Sequence, residues 1–160
     1  MLKHILVPLD GSSVAEQAVG YAAELARRFD GKVTLLRVIT PEADGEGGVT
    51  AALESERRER QLYLDGIAGR LRSGGVQAGG VVLTGDAPEK ILEFAEDNGV
   101  EGIVLNSHCE EARIGFLFGS VAEKVVHAAR CPVVVLHNDE AGRSATAGKR
   151  RALFEPAWSD

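Results

Sequence analysis

The chain has 160 residues, 44% apolar and 26% charged, the make-up of one globular domain that can bury a full core without disulfides or metals. A net charge of −6 supplies no basic face for nucleic acid over the folded part, and no apolar run approaches the roughly 20 residues of a membrane-spanning helix. Residues 1–8 are too short in their apolar stretch for a signal peptide and read directly as a strand; with two cysteines, Cys109 and Cys131, this points to the cytoplasm.

Short β-branched runs alternate with helical periodicity, the pattern of a parallel sheet flanked by helices. The first strand is predicted at 4–9. A helix follows, with Ser13 as its cap and Glu16 as the reciprocal capping-box partner. Ala15, Ala18, Val19, Ala22, Leu25, Ala26 and Phe29 fall at the spacing of a buried helical face, and Asp30-Gly31 ends the helix. Residues 32–39 are nearly all apolar, as a strand covered on both faces must be. The polar, glycine-bearing stretch 40–48 is a loop. A helix rich in Glu and Arg spans 49–73 and stops at Gly74-Gly75; its charge run, residues 54–60, reads as a solvated face with i,i+3 and i,i+4 pairs. The third strand is 77–84. Asp86 as cap, Pro88 in the first turn and Glu89 as box partner then open a helix that buries Ile91, Leu92 and Ala95 and ends at Asn98-Gly99. A fourth strand at 102–106, a loop at 107–115, a helix at 119–129 and a fifth strand at 132–137 complete the domain, placed at 1–138. Residues 139–160 are Ala, Gly, Ser and charge, and read as a flexible tail; Leu153, Phe154 and Trp158 are its candidate anchors for a partner.

Right-handed crossovers make an open, doubly wound five-stranded parallel sheet of order 3-2-1-4-5, with helices on both faces, the simplest α/β solution. In such sheets a ligand crevice lies outside the carboxyl ends of the strands where the winding reverses. That point is between the first and fourth strands, where Pro8-Leu9-Asp10-Gly11-Ser12 meets Asn106-Ser107-His108-Cys109. Asp10 there is read equally as a brace for the turn or helix and as a ligand contact. A thiolate on Cys109 beside His108 suggests nucleophilic chemistry, but adjacent residues rarely orient as base and nucleophile, so an exposed loop is the better reading. A Cys109–Cys131 disulfide is not expected, because the two are placed at opposite ends of neighbouring strands, roughly 17–20 Å apart, against a Cα limit of about 7 Å; Cys131 reads as a small buried hydrophobe. His4, His127 and His137 have no ligand spacing, and no metal site is expected. A phosphoacceptor receiver domain would need an Asp ending the third strand and a Lys after the fifth, where Leu83-Thr84 and His137-Asn138 stand. No Gly-x-Ser-x-Gly elbow supports a hydrolase.

Three segments carry a family resemblance. They are Ile5-Leu6-Val7-Pro8-Leu9-Asp10-Gly11-Ser12, then Leu35-Leu36-Arg37-Val38, then Gly119-Ser120-Val121-Ala122-Glu123-Lys124-Val125 followed by Ala129-Arg130-Cys131-Pro132-Val133-Val134-Val135. In order and spacing over residues 1–136 they resemble the universal stress protein family. One branch of that family binds ATP through Gly-x-x-Gly, nine residues, then Gly-Ser or Gly-Thr; the other lacks the loop. Glycines let backbone N–H groups approach phosphate oxygens, and a following helix N-terminus adds a favourable dipole. The resemblance implies Pro8 and Val38 against adenine, Asp10 near the phosphates and their metal, and Gly119, Ser120 and Val121 on phosphate, with ATP or AMP and magnesium as ligand. Here Asn106 and Cys109 stand where the two loop glycines belong, and Glu110 and Glu111 follow. Each carboxylate repels a phosphate by an amount on the order of 1 kcal/mol at about 4 Å even in a water-like dielectric, which Arg113 or magnesium offsets in part.

The resemblance also implies pairing of two copies through the fifth strand, which would cover the uncharged edge Val133-Val134-Val135-Leu136. The expectation is a non-catalytic stress-response regulatory module that forms a homodimer, acts through a protein partner, and binds ATP weakly or not at all. The alternative is an adenine-nucleotide-binding member with slow hydrolysis or autophosphorylation.

Overall fold

Every second residue of the central strands faces the same layer, and the resulting two apolar faces organise the whole chain. In the computed structural model, which describes residues 2–12, 15–41, 49–107 and 119–137, the elements are β1 (His4–Pro8), α1 (Ala15–Phe29), β2 (Lys32–Ile39), α2 (Val49–Ser73), β3 (Gln77–Thr84), α3 (Ala87–Asp97), β4 (Gly102–Ser107), α4 (Ser120–Ala128) and β5 (Val133–His137). The five strands are parallel and ordered β3-β2-β1-β4-β5, as the crossover argument requires. Ile5 and Val7 of β1, with Val33 and Leu35 of β2, pack under α1 and α2. Leu6 and Leu36, pointing the other way, pack under α3 and α4 with Ile91, Ala95, Ala122 and Val125. This is the strand period of two read out as two cores.

Helix α1 presses Ala15, Ala18, Val19, Ala22, Ala23 and Ala26 onto the sheet. Phe29, predicted on that face, is 40% exposed, and Leu25 is only partly buried. Small side chains let the helix approach closely, so its last bulky residue projects from the packed arc. The helix ends with Asp30 in the left-handed region (φ 50°), while Gly31 serves for close approach: a Cβ there would lie 2.7 Å from the Leu2 carbonyl oxygen. At the start of α1 it is Ser12 Oγ that accepts from the Ala15 amide at 3.2 Å; Ser13 lies outside the described residues. The Glu16 carboxylate accepts instead from the Tyr63 hydroxyl at 2.8 Å, tying α1 to α2.

Helix α2 buries Leu64, Ile67, Ala68 and, more shallowly, Leu71. It can sit close to β3 because Gly80 lies beneath Leu64, and Gln61 Nε2 donates to the Gly80 carbonyl at 2.9 Å. The charge run on α2 contributes an Arg60–Glu56 pair at 3.5 Å. Asp86 does occupy the N-cap position of α3, but its side chain makes no capping bond; its backbone carbonyl accepts from Lys90 N at 2.9 Å. Leu92 is half-buried where a buried position was expected, and so is Cys131, whose thiol burial pushes up. His4, at the amino ends of the strands, is buried and bonded on both ring nitrogens: Nδ1 lies 3.1 Å from Asn98 O and Nε2 2.8 Å from Thr34 Oγ1. The segment 139–160 lies outside the described residues.

Candidate functional site

Strand β1 pairs with β2 on one side and β4 on the other, so successive connections leave its carboxyl end in opposite directions. The gap they leave is a crevice of about 380 Å³, within the range of roughly 300–1,000 Å³ usual for small-molecule sites. Pro8, Asp10, Val38, Gly119, Ser120 and Val121 all line it. The lining is mixed in chemistry. Pro8, Val38, Ala87, Ile91 and Leu105 contribute apolar surface; Asn106, Ser107 and the start of α4 contribute polar groups.

The turn after β1 is built by its own side chains. Leu9 N continues the ladder to Leu36 O at 2.8 Å. Asp10 Oδ1 accepts from Ser12 N at 2.8 Å and from Ser12 Oγ at 2.6 Å, and Gly11 takes φ 88°. The Asp10 carboxylate therefore braces the turn at the lining of the crevice, the first of the two roles read for it in the sequence.

The polar wall is fixed by Ser107. Its buried hydroxyl accepts from Gly119 N at 3.0 Å, pinning the start of α4 to the end of β4. Gly119 is the N-cap of α4, in extended backbone, and as glycine it supplies no side-chain capping bond of its own. Glu123 N bonds Gly119 O at 2.9 Å, so the amides of Ser120, Val121 and Ala122 have no partner within the helix. These donors and a partial charge of roughly +0.5 face the crevice, an arrangement suited to an anion.

Sequence reasoning passed over Arg37. Its signal was a cation set between the apolar pairs Leu35-Leu36 and Val38-Ile39 of the strand. The side chain is half-buried, and Nη1 donates to Leu9 O at 3.2 Å. The guanidinium packs against Gly11, where a Cβ would come within 3.5 Å of Nη1. Burial and then neighbouring Arg60 lower its pKa, opposed by Asp10, Glu56 and Tyr63.

Asp10 is the one carboxylate among the described residues that line the crevice, and among the described residues no three His, Cys, Asp or Glu side chains gather as a metal site. A single carboxylate suits magnesium, which usually takes one or two carboxylates along with ligand phosphates and water. His108, Cys109, Glu110, Glu111 and Arg113, which bear on the expected loss of the phosphate loop, lie outside the described residues.

The model of the universal stress protein family matches residues 1–137. The chain belongs to the universal stress protein family. Among relatives, universal stress protein MJ0531 of Methanocaldococcus jannaschii is 31% identical over 140 residues, covering 85% of this chain and 82% of its own length. The solved structure of protein MJ0577, from the same organism, superimposes with a TM-score of 0.77 at 29% identity, covering 88% of this chain and 99% of that one. A universal stress protein of Archaeoglobus fulgidus, solved in complex with dAMP, is 26% identical with a TM-score of 0.62, covering 84% and 98% of the two chains. As a universal stress protein, the chain shares the five-stranded parallel α/β fold of its solved relatives. Among its described residues no helix is long and apolar enough to cross a membrane.

Proposed function

We propose that this universal stress protein is a cytoplasmic, non-catalytic regulatory module that works as a homodimer, and that its crevice takes the adenosine part of a nucleotide while binding MgATP weakly or not at all. The observation that carries the reading is the contrast between the crevice lining and the stretch beside it. Pro8, Val38, Ala87, Ile91 and Leu105 give the lining apolar surface of the kind a nucleobase packs against. The stretch that would wrap a triphosphate has Asn106 and Cys109 for glycines, followed by Glu110 and Glu111. The dAMP complex of the Archaeoglobus relative supports an adenine monophosphate as the kind of ligand such a crevice holds.

Calorimetry tests this. AMP should bind, and MgATP should bind no tighter than about 10 μM, equivalent to roughly 7 kcal/mol; tighter MgATP binding would overturn the reading. The dimer is supported by β5, an edge strand whose Val133, Val134, Val135 and Leu136 are all half-buried within a single copy. Light scattering should give twice the chain mass at micromolar concentration, and a monomer would count against the pairing. A regulatory protein partner would then read the ligand state of the dimer.

One feature favours the second reading, a nucleotide-binding member with slow hydrolysis or autophosphorylation: the helix start Gly119-Ser120-Val121 is present in the sequence and lines the crevice. Phosphate release or label transfer from ATP above a heat-inactivated control would establish it.

A further inference from the structure

An open sheet ends in two edge strands, here β3 and β5. In a parallel ladder the backbone N–H and C=O of one residue point to the same side, and those of the next residue point to the other. Gly85 N bonds Ile39 O at 2.9 Å, continuing the β2–β3 register, so the odd-numbered residues of β3 bond β2. The even-numbered ones, Ala78, Gly80, Val82 and Thr84, direct their backbone groups away from the sheet. Such a row is a template for another strand. The sequence sharpens the hazard, because Gln77–Thr84 carries no charge and no proline and includes Val81-Val82-Leu83.

Two side chains of α2 close part of that row. Arg72 Nη1 donates to Ala78 O at 2.7 Å, and Gln61 Nε2 donates to Gly80 O at 2.9 Å. These are successive outward carbonyls. Gln61 is itself held by Asp65, whose Oδ1 accepts from the same Nε2 at 2.9 Å, so both amide hydrogens are engaged. An incoming strand must displace both donors. It must also strip water from the Arg72 guanidinium and the Asp65 carboxylate without offering either a new partner. Beyond them the outward positions are only Val82 and Thr84, a short stretch against the roughly five or six residues of an ordinary strand.

We propose that Gln61 and Arg72 guard the β3 edge against pairing with the same edge of a second copy, leaving β5 as the edge through which copies join. The guard matters because a copy able to pair at both edges grows into an open chain instead of closing as a pair. It is independent of the pairing proposed for β5. Whether wild type is one copy or two sets only the mass from which growth at β3 is counted.

Light scattering on the full chain over a range of concentrations tests this, with circular dichroism to confirm folding. The double variant Gln61→Ala, Arg72→Ala removes both donors. Its mass should rise with concentration to about twice that of wild type or more, as one added contact per copy requires. Adding Gly79→Lys should return the mass to the wild-type value. Position 79 is exposed, a Cβ there meets nothing within 4 Å, and a lysine on an edge strand opposes pairing. This rescue separates a guard from a merely stabilising role, because a charge at position 79 restores neither hydrogen bond. A folded double variant that keeps the wild-type mass at every concentration overturns the proposal. So does growth that persists with Gly79→Lys, since the contact then lies elsewhere. Arg72 is exposed in the last turn of α2, so Arg72→Ala alone is the protein to measure where the double variant fails to fold. Growth in it that Gly79→Lys reverses upholds the guard, and wild-type mass overturns it.

Discussion

Gly80→Ala should destabilise the protein by about 1–2 kcal/mol, although alanine is ordinarily the better residue in a strand. A Cβ at position 80 would lie 2.5 Å from Leu64 Cβ and 3.4 Å from the Leu64 carbonyl carbon. Carbon atoms pack at about 3.5–4.0 Å, so α2 must retreat by roughly 1 Å. It is not free to do so. Leu64, Ile67 and Ala68 are 0–3% exposed beneath it, and the Gln61–Gly80 hydrogen bond of 2.9 Å fixes the same spot. Overpacking of this kind costs about 1–3 kcal/mol, offset in part by the roughly 0.5–1 kcal/mol gained on replacing glycine. Gly79 is the internal control, because a Cβ there meets nothing within 4 Å; Gly79→Ala should be neutral or stabilising. Urea unfolding with a common m-value reads both. A Gly80→Ala midpoint equal to or above that of wild type would refute the close contact between α2 and β3.

Three further outcomes are expected. Burial, then Lys32, holds the His4 pKa below its ordinary value against the opposing pull of Asn98 O and Glu101, so the neutral ring is favoured by folding; its contribution is present above pH ~6.5 and is lost as pH falls through the lower folded value, and His4→Gln should flatten the acid slope of stability. The Tyr63 hydroxyl is pushed up to about 12 by burial and its bond to Glu16, so ultraviolet titration should resolve one late tyrosine, with stability falling between pH ~10 and that value; Tyr63→Phe should cost about 0.5–1.5 kcal/mol and abolish the late step. Ser107→Ala removes the acceptor of the Gly119 amide and should cost about 1 kcal/mol while weakening AMP binding more than adenosine binding; equal losses would show that the start of α4 is not what holds the phosphate.

The strand order was legible because each strand is a short apolar run and the connections have one hand. The location of the crevice followed from that order alone. The identities of Pro8, Val38 and Val121 as lining residues did not, because apolar residues at strand ends carry no chemical signal; the family resemblance named them. Arg37 escaped because β2 reads as a strand covered on both faces, and a cation between Leu36 and Val38 looks like an interruption. Its meaning depends on Gly11 and Leu9, 26 and 28 residues earlier. Local caps were read one step out. Periodicity marks where a helix begins, but which hydroxyl reaches the first amide depends on the turn, and the Asp10 brace delivers Ser12. Phe29 was placed on the buried face by its spacing, which reports direction but not how far the sheet beneath extends.

The Ser107–Gly119 hydrogen bond has an evolutionary corollary. It holds together Ser107 and Gly119, the two residues that bracket 108–118. Rewriting the sequence between two residues held in this way costs the sheet little, since even doubling a loop's length adds only about 0.6 kcal/mol of closure entropy. Selection on ligand chemistry and selection on folding can then proceed separately in this chain. That is a physical route by which a family keeps one architecture while individual members exchange, weaken or abandon the phosphate-binding sequence.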